Sequence, residues 1–193
     1  MWNNGKVYWS MNTMTSGENK MASGPPKQTL LRVTYLEQSE PALPPALYWG
    51  SERIALERLA RSAYLTLYKH VGTPLRWDQR LKMPTTELDA LLAGESLHLY
   101  VLRDVSGEAL GFCEFDRGAF PQIELKNFGL VPQAQGRGLG PWLLATALQG
   151  EWRSNPDRIW LHTDEWDHPA ARTVYERAGF RVFDERDEPA DPL

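Results

Sequence analysis

Gln133-Ala134-Gln135-Gly136-Arg137-Gly138-Leu139-Gly140-Pro141 is the stretch that decides the fold. It lies between an apolar run that reads as a strand, Ile123–Val131, and one that reads as a helix, Leu139–Trp152. Glycines at alternate positions remove Cβ atoms, so the backbone can turn tightly and aim successive N–H groups inward. The helix start adds unpaired donors and the positive end of its dipole. Pro141 suits the first helical turn, where a missing N–H costs nothing. Together these features make an anion site suited to a phosphate or pyrophosphate, and Arg137 can add a charge-assisted contact. Two other phosphate loops fit worse. A Walker loop needs Gly-Lys-Ser/Thr, and this stretch has no lysine. The dinucleotide fingerprint needs G-x-G-x-x-G opening a domain, whereas this is G-x-G-x-G late in the chain.

Outward from the loop, helix and strand patterns alternate. Thr29–Leu36 reads as a first strand. Ser51 is expected to cap a helix carrying Ala55, Leu59, Ala63 and Leu67, which Gly72 and Pro74 would stop. A shorter helix is expected near Thr86–Ala93, closed by Gly94, then a hairpin of Leu97–Arg103 and Ala109–Phe115 turning at Asp104-Val-Ser-Gly107. After the Leu139–Trp152 helix come a short strand, Ile159–Thr163, a helix, Pro169–Ala178, and a last strand, Phe180–Phe183. Hairpins followed by strand–helix alternation imply a mixed, mostly antiparallel α/β sheet flanked by helices, in a single domain. Residues 1–27 are polar, aperiodic and closed by Gly24-Pro25-Pro26, so they are expected to be a flexible leader. The domain is expected over 28–185, with an acidic tail from 186 to 193.

The composition of the 193 residues is that of an ordinary globular protein, with 42% hydrophobic and 24% charged residues. No stretch approaches the roughly 18 consecutive apolar residues of a membrane helix, and the start lacks the pattern of a secretory signal. One cysteine, Cys113, permits no internal disulfide, so a reducing, cytoplasmic setting is expected. A net charge of −4 gives no electrostatic reason to expect nucleic acid as a partner.

The loop Gln135-Gly-Arg-Gly138-Leu-Gly140 resembles the Q/R-x-x-G-x-G/A motif of the GCN5-related N-acetyltransferase (GNAT) superfamily. A second segment, His168-Pro169-Ala170-Ala171-Arg-Thr-Val174-Tyr175-Glu-Arg-Ala178-Gly179-Phe180, resembles that family's N-x-x-A-x-x-x-Y-x-x-x-G-F. The likeness spans roughly residues 29–183. It implies a GNAT-type fold and transfer of an acetyl group from acetyl-CoA to a primary amine, by direct attack in a ternary complex. It implies that the amides of Gln135, Gly136, Arg137, Gly138, Leu139 and Gly140 hold the pyrophosphate, and that Leu130 and Val131 run beside the pantetheine. His168 and Ala171 are implied as cofactor contacts too, although His168 stands where the family usually has Asn. Tyr175 is implied as the general acid for the departing thiolate, a role a phenol with pKa near 10 can fill because it stays protonated at neutral pH.

The leading base is Glu124 on the strand entering the loop, where a partly apolar pocket would raise its pKa. Glu114, His162, Asp164 and a water chain are alternatives. Trp77, Arg80, Asn127 and Phe128 are expected to meet the acceptor, with Tyr64, Tyr68, Arg76 and Met83 as further candidates from the same region. Trp166 is expected near the pantetheine arm. Cys113 reads as a small buried hydrophobe, and the histidine and carboxylate spacing argues against a metal. The acceptor is a small-molecule or peptide amine, and the protein a monomer or homodimer. A non-catalytic acyl-CoA-binding module would keep the glycine loop but need neither Tyr175 nor a base. A generic nucleotide-binding domain would bind ATP or NAD instead of CoA.

Overall fold

A computed structural model describes residues 29–42, 48 and 50–190. The expected leader, 1–27, and residues 191–193 of the expected tail lie outside the described residues. Seven segments extend as strands: β1 (Leu30–Gln38), β2 (Arg53–Glu57), β3 (Leu97–Arg103), β4 (Ala109–Asp116), β5 (Gln122–Leu130), β6 (Arg158–Asp164) and β7 (Arg181–Pro189). They form one sheet in the order β2-β3-β4-β5-β6-β1-β7. Every neighbouring pair is antiparallel except β5 and β6. The mixed, mostly antiparallel sheet expected from the pattern of elements is therefore present.

Helices α1 (Arg61–Gly72) and α4 (Leu139–Trp152) cover opposite faces of it, with α2 (Gln79–Lys82) and α3 (Thr85–Ala93) between α1 and β3 in sequence. The pleat of β4 explains the division, since successive side chains leave a strand on opposite sides. Phe112 turns to Tyr64 and Tyr68 of α1, and its neighbour Glu114 bonds Tyr64 on the same side. Tyr100, opposite Cys113 on β3, packs on Phe115 and sends its hydroxyl to Glu151 of α4. Helix α1 buries Tyr64, Leu67, Tyr68 and Val71, which recur at i, i+3, i+4 and i+7. Helix α4 buries Leu139, Leu143, Leu144, Ala147 and Leu148, each 4% exposed or less. A fully buried leucine contributes about 1.5–3 kcal/mol, so this one helix face is a large part of the core. Helix α1 approaches β5 so closely that a Cβ on Gly129 would lie 2.4 Å from Val71 Cγ1. That contact brings the end of α1, and the chain just after it, over the glycine-loop end of β5.

Two segments differ from the sequence reading. The helix expected from Ser51 is instead the edge strand β2, paired residue for residue with β3 from Arg53↔Arg103 to Glu57↔Leu99. Apolar residues four apart satisfy period two as well as the helical period, and pairing with a distant strand decided between them. The helix proper begins at Arg61. The last strand does not end at Phe183 and runs to Pro189, where it pairs with Leu30, so residues 186–189 are strand rather than tail. Its far half, Asp184-Glu-Arg-Asp-Glu188, is held by cross-strand charges such as Arg32 with Glu185 and Asp187.

Candidate active site

Strands β5 and β6 are in register only from Gln122↔Arg158 to Glu124↔Trp160. Beyond Glu124 β5 keeps its pairing with β4 and loses that with β6, while β6 continues along β1 to Asp164. The carboxyl ends of the one parallel pair therefore diverge, which is where ligands enter open α/β sheets. The glycine loop follows one of these ends, and the segment 165–170 leading into α5 (Ala171–Arg177) follows the other.

In the loop, Gly136 (φ 71°) and Gly138 (φ 75°) both take the left-handed conformation that glycine adopts without penalty. A Cβ on either would meet nothing within 4 Å, so the concave side of the loop is open. Gly138 is also the N-cap of the fourteen-residue α4, with no side chain capping its first amides. Gln135 Nε2 donates to the Leu130 carbonyl at 3.2 Å and ties the loop to the end of β5.

Between loop and α5 lies a cavity of about 510 Å³. Its floor is Phe128, Gly129 and Leu130, its walls Gln135, Gly136, Gly138 and Gly140 on one side and His168, Ala171, Val174 and Tyr175 on the other. Three expected contacts are not on that lining. Leu139 and Val131 are core residues at 0% and 1% exposure, and the Val131 amide is used by the Leu110 carbonyl at 2.9 Å. The Arg137 guanidinium is paired with Glu52. His168 caps its own turn: Nδ1 accepts from the Ala170 amide at 3.1 Å.

A second cavity, about 220 Å³, adjoins the first on the side away from the loop. The two share Leu75, Phe128, Asp167 and Tyr175, and Tyr175 packs on Phe128 and Phe180. Burial first, then the Asp167 charge, pushes the Tyr175 phenol well above its ordinary value near 10, so it holds its proton. Trp77, Asn127 and Phe128, expected acceptor residues, line this smaller cavity, as do Arg76, Asp164 and Trp166.

Two expectations change. Arg80 does not reach the cavity: its guanidinium is bound to Glu114, which is 0% exposed and also accepts the Tyr64 hydroxyl at 2.5 Å. Glu114 is thereby committed to the core as well. Glu124 lines neither cavity and bonds Lys126 Nζ at 2.9 Å, with His162 Nδ1 at 3.5 Å. Burial alone would raise its pKa, but His162 and Lys126 together hold it below the ordinary carboxylate value, the reverse of the expected shift. Asp164, by contrast, faces the smaller cavity and is raised above its ordinary value, by burial foremost and by the like charge of Asp167. Asp167, on the wall between the cavities, was not singled out as a site residue. Its only signal is position, one residue before the His168 segment. Cys113 is fully buried and its thiol is pushed up, as suits a packing residue.

Sequence and structure comparisons identify the family and agree with the fold. The model of the acetyltransferase (GNAT) family matches residues 56–180, so the chain belongs to that family. The mycothiol acetyltransferase of Nocardioides sp. is 42% identical over 65 residues, 33% of this chain and 21% of that protein. Among solved structures, a GCN5-related N-acetyltransferase from Sphaerobacter thermophilus superposes with a TM-score of 0.57 at 17% identity, over 81% of this chain and 50% of that one. A tandem GNAT protein from the clavulanic acid biosynthesis pathway, solved without acetyl-CoA, gives 0.60 at 16% identity over 86% and 56%. The chain thus spans about half the length of these two structures and a fifth of the curated relative.

Proposed function

We propose that this protein transfers the acetyl group of acetyl-CoA to a primary amine by direct attack, with both reactants bound at once. The observation that carries the reading is the shared wall: a large cavity ending in an amide-lined loop and a small polar cavity meet at Tyr175, Phe128, Leu75 and Asp167. Two substrates bound on either side of that wall need no enzyme nucleophile between them, and the buried Cys113 offers none.

The large cavity fits coenzyme A in its donor set. Open left-handed glycines beside the uncapped start of α4 suit a diphosphate, and Phe128, Leu130 and Val174 suit an uncharged arm. Bound there, acetyl-CoA supplies an activated acetyl thioester whose C–S bond breaks as the amide C–N bond forms. The chain's own work is to move two protons. An ammonium entering the smaller cavity must lose one before it can attack, and Asp164, with its raised pKa, is the carboxylate on that lining suited to take it. Tyr175 holds the other at its hydroxyl, on the wall where the departing sulfur needs it. Asp164 was an alternative to Glu124 in the sequence, and it is preferred because it lines the cavity, whereas Glu124 lies off the lining and is engaged by Lys126 and His162.

Calorimetry with acetyl-CoA, alongside thiol release across a panel of amines, tests the proposal. Micromolar binding and release with at least one amine are expected. Binding without release for any amine would leave an acyl-CoA-binding module in its place.

A further inference from the structure

The smaller cavity holds more charge than an amine alone requires, and half of its charged side chains are already paired. Lys126 is paired with Glu124 at 2.9 Å, Asp78 with Lys82 at 2.6 Å, and Glu188 accepts the Tyr35 hydroxyl at 2.5 Å with Arg186 at 3.9 Å. Three charged side chains on the lining are left with no ion-pair partner within 4.0 Å among the described residues: Asp164, Asp167 and Arg76. The two carboxylates are held by neutral donors, the Trp166 amide at 2.8 Å and the Thr163 hydroxyl at 2.6 Å. The guanidinium of Arg76 lies over the Trp166 ring, 5.1 Å from its centroid.

The backbone holds Arg76 there deliberately. It ends the 3-10 turn Thr73–Leu75 at φ 58°, one of two non-glycine residues with positive φ among those described. Such a conformation costs free energy and persists where the surroundings impose it, often at functional sites. Here the Trp77 amide bonds back to the Gly72 carbonyl at 3.0 Å, and the Trp77 ring lies against Gly72, where a Cβ would stand 2.7 Å from ring atom Cε3. The turn is locked, and its arginine is presented against an indole with, among the described residues, no carboxylate within 4.0 Å.

From this arrangement we infer that the acceptor is a compact zwitterion, an amino acid or a molecule carrying the same pair of groups. Its ammonium lies toward Asp164 and Asp167, and its carboxylate is bound by Arg76. Asp167 lies on the wall shared with the large cavity, whereas Arg76 and Asp164 line only the small one, and the polarity inferred from Asp167 is amine toward the chemistry, carboxylate on Arg76. A volume of about 220 Å³ suits a ligand smaller than the drug-sized molecules that fill pockets of roughly 300–1,000 Å³. Guanidinium and carboxylate match as a bidentate pair, and among the described residues the Arg76 guanidinium has no ion-pair partner within 4.0 Å. Arg76 is thus a specificity-determining residue.

The inference rests on the acetyl-transfer reading and is tested so that the two can fail separately. Each free amino acid in a panel is compared with its own C-terminal amide, which keeps the amine and removes the carboxylate charge. The native protein is expected to favour the acid over its amide by about 10–100-fold in kcat/KM, the range of a charge-assisted hydrogen bond. Arg76→Gln is expected to abolish that preference, leaving acid and amide within about 3-fold of each other, with acetyl-CoA affinity unchanged by calorimetry. Arg76→Lys is expected to keep part of the preference, because the charge remains without the planar fork. Amides used as well as acids by the native protein, or release only with amines that carry no carboxylate, would overturn the inference and leave acetyl transfer standing. Arg76→Gln losing acid and amide equally would also overturn it. No release with any amine would sink both.

Discussion

The rings of Tyr175 and Phe128 pack 5.9 Å apart, centroid to centroid, and both residues line the two cavities that meet there. The contact joins α5 to β5, across the opening left where β5 and β6 diverge. Replacing Tyr175 with phenylalanine keeps this packing and removes only the hydroxyl. Tyr175→Phe is therefore expected to lower kcat by about 10-fold or more while leaving acetyl-CoA affinity within about 2-fold. Single-turnover rates and calorimetry on the same variant check this, and an unchanged kcat would take Tyr175 out of the chemistry.

The open loop makes a separate prediction. At Gly138 a new Cβ would meet no atom, so Gly138→Ala introduces no clash. Its cost is the left-handed backbone, about 1–2 kcal/mol for an alanine held at φ 75°. A loop that relaxes to escape that strain turns its amides away from the cavity. Calorimetry is expected to show acetyl-CoA binding weakened by about 5–30-fold, with the acceptor preference among amines unchanged. Equal weakening in a variant of Gly107, whose left-handed turn lies in the β3–β4 hairpin, would mean that the effect is general instability.

What the sequence revealed of this molecule is what local chemistry encodes. The loop glycines, the ends of α4 at Leu139 and Trp152, the β3–β4 turn and the placement of Tyr175 each depend on a few neighbouring residues. The misreadings share another cause. Strand β2 exists because β3 lies beside it, more than forty residues away, and the charged half of β7 because β1 does. A bulge takes Glu124 off the cavity lining: Glu114 faces Asn127 and Phe115 faces Leu125, so Lys126 is an extra residue in β5 and the alternation of faces breaks there. Arg80 was misread because an arginine among aromatics looks the same in sequence whether it faces a pocket or a buried carboxylate.

Two carboxylates with opposite shifts give opposite pH signatures. Asp164 must be ionised to accept a proton, and its pKa is raised, so the acidic limb of kcat/KM is expected above the ordinary aspartate value near 3.9. Asp164→Asn should remove most of the activity, whereas Glu124→Gln should leave it within about 3-fold and act on stability instead. For Glu124 the folded pKa is depressed, so its stabilising pairs with His162 and Lys126 act above the ordinary glutamate value and are lost as pH falls through the folded one. Glu124→Gln is therefore expected to lower the unfolding midpoint at pH 7 and to converge with the native protein in acid. For Asp164 the sign reverses: its contribution is full below the unfolded pKa and disappears as pH rises through the folded one, so Asp164→Asn is expected to be neutral or stabilising at pH 7. Pairs of pH–rate profiles and thermal melts distinguish the two residues, and a Glu124→Gln variant that is stable but inactive would restore Glu124 as the base.

Arg80 tests whether a buried ion pair, rather than acceptor binding, explains its position. Its partner Glu114 has no exposed surface, and losing the guanidinium would leave that carboxylate, among the described residues, with only the Tyr64 hydroxyl. Breaking such a pair from one side costs about 3–5 kcal/mol, because the remaining charge is buried without compensation. Arg80→Met is expected to lose stability on that scale in urea unfolding, measured with acetyl-CoA absent so that ligand binding does not mask it. Removing the stranded charge as well should reverse most of the loss, since a methionine against a neutral glutamine leaves no buried ion: Arg80→Met with Glu114→Gln is expected to recover at least half of it. In the folded fraction of either variant the acceptor KM should stay within about 3-fold of native, because Arg80 does not line the cavity. A stable Arg80→Met protein with a KM raised tenfold or more would instead return Arg80 to the acceptor site.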